Sequence, residues 1–259
     1  MKLKHLESAL SSIQRDFPSP KVELEQYPTS ANLAAWIGLT ALENGDIGEG
    51  KSCLDLGCGT GMLACCCALL GTEYVLAVDC DVDALQIANQ NAQRLDMEDT
   101  IEMILAKVNV PLPAKNSNHG NRSTISRQGV NKAKGGRGRG RGKGRQGRGG
   151  NNQKQPIQPV ALNPMPKISS GVADDGLPLC SNCVDTVITN PPFGTKENAG
   201  MDVQFLRAAV RLARRAVYSF HKTSTRPYLL KTLGEEWGLE VKVVAEMKVT
   251  SWSFRVLML

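Results

Sequence analysis

Apolar positions along the chain recur at two different spacings. "KSCLDLG" (51–57) is a short apolar run ending at a glycine, the mark of a buried strand entering a turn. "MLACCCALLG" is apolar on every side and predicts a buried helix. "EYVLAVD" (73–79) predicts a second strand, and "DVDALQIANQNAQRLD" (81–96) an amphipathic helix with Asp81 as N-cap. "TIEMILAKV" (100–108) and "CVDTVITN" (183–190) predict the third and fourth strands. A helix follows over 201–215, then a fifth strand over 216–220. A helix over 226–238, with Pro227 allowed in its first turn, leads to a sixth strand over 239–249. Strands alternating with helices imply a mostly parallel α/β sheet with helices on both faces.

The pattern breaks between the third and fourth strands. From Lys115 to about Asp175 apolar periodicity vanishes, and the centre reads "KGGRGRGRGKGRQGRGG". Glycine entropy and arginine repulsion both oppose packing, so a disordered Gly/Arg-rich insertion is expected at 115–175. It divides the domain into a first half (1–114) and a second half (176–259), and it stands where a helical crossover belongs. Residues 115–154 carry twelve Lys/Arg and no acid, whereas the remainder holds 19 basic and 25 acidic residues, so the net +6 is local. Gly-Arg alternation resembles RGG-type RNA-binding tails, in which guanidinium groups meet phosphates and stack on bases. A solvated loop without a role is the other reading.

The eight cysteines form no disulfide framework, since Cys65, Cys66 and Cys67 are adjacent in an apolar stretch. Reduced thiols point to the cytoplasm or nucleus. Cys180 and Cys183 have metal-ligand spacing, but no second pair lies nearby, and no metal site is expected. No apolar run approaches a membrane span, and "MKLKHLESALSSIQ" is a poor signal peptide.

Two motifs carry chemistry. "DLGCGTG" (Asp55 to Gly61) follows a strand and opens a helix, and its glycines let backbone approach a ligand closely. Asp79, at the end of the second strand, stands where an acid bonds ribose hydroxyls. The leading Asp55 and the short loop suit S-adenosylmethionine better than a dinucleotide. The second motif is "VITNPPFGTK" (Val187 to Lys196). Asn190 Oδ1 and the Pro191 carbonyl can accept the two protons of an exocyclic amine, favour its pyramidal form and aim its lone pair at a methyl sulfonium. Pro191 and Pro192 fix those acceptors, so the gain is positional. Phe193 offers a stacking face for a flat base.

Together with these motifs, "LEQYPTSANLAAWI", "VDCDVDAL", "MDVQFLRAA" and "AVYSFHKTSTR" resemble the methyltransferase-like protein 5 family. The resemblance runs from Met1 to about Val110 and from Asp185 to about Lys248. It implies a Rossmann-like class I S-adenosylmethionine-dependent methyltransferase that methylates adenosine N6 in small-subunit ribosomal RNA, in nucleolus and cytoplasm. It places Gln26, Thr29, Gly57 and Thr60 on the cofactor with Asp79 on its ribose, in the loop that also holds Asp55 and Gly59. Asn190, Pro191, Pro192 and Phe193 form the target-base site. His221 to Ser224 form a loop past the fifth strand. The family also works with a small zinc-binding activator subunit, expected along the third strand, because an unpaired edge invites such pairing.

The sequence departs from the family twice. Lys107 stands where the family has an acid that holds the cofactor adenine. After Lys248 the chain ends "VTSWSFRVLML", so the last strand, which inserts between the fifth and sixth, is expected to be missing. Other readings remain open. A protein glutamine amide or a DNA adenine poses the same problem to the same motif, and a catalytically silent RNA-binding protein is the alternative of a different class.

Overall fold

A computed structural model describes residues 1–109, 175–193, 200–249 and 252–259, with 247–249 and 252–256 as backbone alone. The described strands are β1 (Ser52–Leu56), β2 (Tyr74–Asp79), β3 (Ile101–Leu105), β4 (Val184–Thr189), β5 (Ala213–Lys222), β6 (Lys242–Val249) and β7 (Trp252–Met258). The helices are α1 (Leu3–Leu10), α2 (Ala31–Glu43), α3 (Met62–Leu69), α4 (Val82–Arg94), α5 (Met201–Leu212) and α6 (Arg226–Leu230). The helix expected over 226–238 is broken: α6 ends at Leu230 and a π-helical turn follows over Lys231–Glu236.

The sheet order is β3-β2-β1-β4-β5-β7-β6. Pairing is parallel from β3 through β5, and β7 runs antiparallel to both β5 and β6. Alternation along β1 divides the core. Cys53 joins Ala34, Ile37 and the buried α3 cysteines on one face, while Leu54 and Leu56 meet Ala208, Ala209 and Leu212 of α5 on the other. Met62 through Ala68 are all buried, as an all-round apolar helix requires.

The expectation of a missing last strand is wrong. Trp252–Met258 fills the position between β5 and β6, pairing Tyr218 with Met258 and Lys242 with Met258 on its two sides. The same pairing corrects the fifth strand. It extends through Lys222 because His221 and Lys222 pair with Arg255 and Phe254. His221 is therefore a buried strand residue rather than part of a loop.

The insertion itself lies outside the described residues, but its ends do not. Asn109 donates its backbone N–H to the Asp175 carbonyl at 2.7 Å, so both ends of the excursion meet at the carboxyl end of β3. Asp175 belongs to the fold: it is buried and paired with the Arg211 guanidinium, which also donates to the Leu179 carbonyl at 2.7 Å. No described residue forms a crossover helix between β3 and β4. Val108 and Leu177 instead fill that layer against Leu54, Leu56, Leu76 and Val78.

Candidate active site

Strand register builds the site. Leu56 pairs with Val78, so Gly57 and Asp79 leave the sheet side by side. Asp55 pairs with Ile188, which puts Asn190 beside Gly57 on the opposite flank. Three carboxyl-terminal strand ends thus converge where the strand order reverses around β1, the usual place for a ligand in an open α/β sheet. The cleft there is lined by Gln26, Thr29, Gly57, Gly59, Thr60, Asp79, Asn190 and Pro192 among others.

The glycine turn is shaped by its backbone. Gly57 and Gly61 have φ of 75° and 80°, and a Cβ on Gly57 would lie 2.8 Å from the Phe205 ring. Gly59 donates its N–H to Asp79 Oδ2 at 2.8 Å, and Asp81 donates to Asp79 Oδ1 at 2.9 Å. Each Asp79 oxygen keeps a second lone pair, enough to accept from a vicinal diol. Burial pushes the Asp79 carboxyl above the ordinary range, and the N–H groups of Gly59 and Asp81 oppose that rise.

Asp55 is placed differently from the other cofactor candidates. It lies beneath the cleft wall, 1% exposed, with Oδ2 accepting the Ala64 N–H at 2.9 Å. It ties β1 to α3, and burial raises its carboxyl to about 7 against the Ala64 hydrogen bond. Its role is to hold the turn rather than to line the cleft.

The N-terminal segment closes the cleft from above. Lys21 Nζ contacts Asp81 at 2.5 Å and Asp83 at 2.8 Å. Gln26 Nε2 donates to Asp81 Oδ2 at 2.6 Å, while its Oε1 accepts the Lys21 N–H. Burial alone would raise the Asp81 carboxyl; the hydrogen bonds from Lys21 and Gln26 outweigh it and lower it. Thr60 Oγ1 donates to the Arg15 carbonyl, and Asn91 holds Gln14 from α4. Asp81 thus does more than cap α4, and sequence reading missed its partner Lys21 as well as the Asn91 anchor for Gln14. Charge complementarity over some 60 residues leaves no local pattern to read.

On the other flank, Asn190 Nδ2 donates to Thr29 Oγ1 at 3.1 Å. Pro191 is buried and Phe193 half-buried, and neither is among the residues lining the cleft. The Tyr27 and Phe193 rings lie 6.0 Å apart at 32°, and Lys222 Nζ sits 5.4 Å from the Phe193 ring centre. Tyr27, 59% exposed, is a further aromatic that the sequence reading left unassigned. His221 takes no part in this wall. It is 2% exposed, Nε2 lies 2.8 Å from Ser219 Oγ, and burial lowers its pKa to about 3.

The residues fit S-adenosylmethionine. Two glycines leave room for backbone approach, a carboxylate sits at the neighbouring strand end, and an amide waits across the cleft. Lys107 also lines the cleft, where it offers donors and no acceptor. Strand order, glycine turn and Asp79 together define a class I S-adenosylmethionine-dependent methyltransferase.

Comparison with known proteins narrows the class. The family model Ribosomal protein L11 methyltransferase (PrmA) matches residues 34–118. The rRNA N(6)-adenosine-methyltransferase Mettl5 of Drosophila melanogaster is 32% identical over 248 residues, covering 96% of this chain and 85% of that protein. Its counterpart METTL5 from Danio rerio is 31% identical, covering 96% and 87%. A crystal structure from Pyrococcus horikoshii shares the fold with a TM-score of 0.61 at 22% identity, covering 99% and 97%. The chain belongs to the Mettl5 family of rRNA N6-adenosine methyltransferases.

Proposed function

We propose that the protein transfers a methyl group from S-adenosylmethionine to N6 of an adenosine in small-subunit ribosomal RNA. One observation carries the reading: the register places Asn190 and Asp79 on either side of Gly57, so an amine held at one and a donor held at the other share a single cleft. S-adenosylmethionine supplies an electrophilic methyl on a sulfonium leaving group. Asp79 accepts from the ribose hydroxyls, and Gly57, Gly59 and Thr60 shape the wall for the methionine part. Asn190 Oδ1 and the Pro191 carbonyl accept the two amine protons and concentrate the lone pair on nitrogen, with Pro192 holding the corner. Phe193 stacks on the base, and Lys222 adds a cation beside that ring. The bond from methyl to nitrogen forms as that to sulfur breaks, and the surplus amine proton leaves to solvent after transfer. No strong base is needed.

The small activator subunit belongs to the same proposal. β3 is the sheet edge, with Leu105 58% exposed and Met103 and Ile104 half-buried. An added strand there would pair the open backbone groups and cover those side chains. The insertion's basic residues would add RNA affinity through phosphate contacts.

The test offers isotopically labelled S-adenosylmethionine and small-subunit ribosomal RNA to the chain co-expressed with the activator, with a glutamine-bearing ribosomal protein as competitor. Label recovered as N6-methyladenosine supports the reading; label in protein, or none in RNA, refutes it. Leu105→Asp should release the activator from the purified complex, and retention would overturn the edge assignment.

A further inference from the structure

The segment that roofs the cleft carries a strained residue and a charged fastening at the same place. Residues 17–29 lie between α1 and α2, and Phe17, Leu24, Gln26 and Thr29 line the cleft from that side. The Phe17 ring stands 3.0 Å from where a Cβ on Gly59 would lie, so this strap rests on the glycine turn. Midway, a 3-10 turn over Val22–Leu24 ends at Glu25, whose φ of 49° is left-handed for a non-glycine residue. Such a conformation persists only where its surroundings hold it, and it recurs in ligand clamps and switches. The holding groups flank the turn. Lys21 Nζ reaches Asp81 at 2.5 Å and Asp83 at 2.8 Å. Gln26 accepts the Lys21 N–H and donates to Asp81 Oδ2. A backbone N–H only donates and a carboxylate only accepts, so the Gln26 amide has one orientation. Lys21 itself is not among the residues lining the cleft, and its side chain is 37% exposed, so water can take over the ammonium when the pairs part.

We infer that Lys21 is the latch of this strap: its ion pairs with Asp81 and Asp83 hold residues 17–29 closed over the cleft, and cofactor enters and leaves when they part. The inference goes beyond the choice of methyl acceptor and rests on S-adenosylmethionine occupying the cleft. Lys21 stands outside the lining, so the latch closes the empty and the loaded cleft alike. Weakening it raises the open fraction of both forms by the same factor. Entry and exit then quicken together, and their ratio, Kd, holds. A strap that merely added contacts to the cofactor would change exit alone.

Surface plasmon resonance reads the S-adenosylmethionine association and dissociation rates on the full chain with its activator. Wild type is compared with Lys21→Met, Lys21→Arg, Asp83→Asn and the double variant Lys21→Met/Asp83→Asn. In Lys21→Met both rates should rise at least about threefold, the scale of a partly exposed ion pair, while Lys21→Arg keeps both below that rise. Asp83→Asn should quicken both rates in the wild-type background and add nothing once Lys21 is replaced, because its carboxylate acts through Lys21. Hydrogen exchange of the Leu24 and Glu25 amides should quicken in Lys21→Met, with exchange in β1 unchanged. The latch is overturned if either rate in Lys21→Met stays below about a threefold rise, if Asp83→Asn acts equally in both backgrounds, or if exchange quickens throughout the fold. If wild type binds no S-adenosylmethionine, the cofactor assignment falls and the latch with it; if it binds and the variants leave the rates fixed, the latch alone fails.

Discussion

Replacing His221 with glutamine should remove one acid-sensitive contribution to stability. Burial lowers the folded imidazole from 6.5 to about 3, whereas the unfolded imidazole protonates normally. Below 6.5 the unfolded state takes up a proton that the folded state refuses, so stability falls with pH until about 3. Between pH 7.5 and pH 5 this loss is about 2 kcal/mol, from about 1.5 pH units at about 1.36 kcal/mol each. Asp55 works the other way. Its carboxyl rises from 3.8 to about 7, so its contribution is fully present below 3.8 and is lost as pH climbs through about 7. Acidification from pH 7.5 to pH 5 restores about 2.5 kcal/mol from that group. The two contributions oppose each other and are of similar size over this range. Urea unfolding at both pH values reads the difference. The stability gap between wild type and His221→Gln should shift by about 2 kcal/mol toward the variant at pH 5. A gap constant to within about 0.5 kcal/mol would refute the buried neutral imidazole.

Four further outcomes follow from the same geometry. Gly61→Ala forces a side chain into φ of 80°, with its Cβ 2.9 Å from Ala88 Cβ, and should cost about 2–4 kcal/mol in urea unfolding. Excising 110–174 with a short linker should leave the melting temperature within about 3 °C of wild type, because Asn109 and Asp175 already meet. Asp175→Ala, by contrast, strands the buried Arg211 charge and should cost about 3–5 kcal/mol. Lys107→Asp puts an acceptor into the cleft wall and should tighten S-adenosylmethionine binding about tenfold in calorimetry, a gain of about 1.4 kcal/mol.

Strands β1, β2 and β4 were legible as short, mostly apolar runs buried on both faces, and the edge strand β3 from the apolar residues of "IEMIL" between polar flanks. Their register, and with it the convergence of Gly57, Asp79 and Asn190, follows once the parallel order is known. β7 was misread although "WSFRV" alternates apolar and polar residues from Trp252 to Val256. Only Thr250 and Ser251 separate it from β6 in sequence, so the two strands follow each other almost directly. Losing that strand cost the end of β5, since His221 and Lys222 are held by β7 rather than by their own propensity. Gln26, Thr29 and Asp79 were named from the sequence, and all three line the cleft. What stayed hidden was the traffic between them, such as Lys21 with Asp81 and Thr29 with Asn190, because tertiary hydrogen bonds between distant segments leave no periodic trace.

The most direct measurement is nucleoside mass spectrometry of small-subunit ribosomal RNA from cells lacking this chain, restored with wild type or with Asn190→Ala. N6-methyladenosine should disappear on deletion, return with wild type and stay absent with the variant. Unchanged N6-methyladenosine after deletion, or its return with Asn190→Ala, would contradict an amine gripped at the asparagine–proline corner.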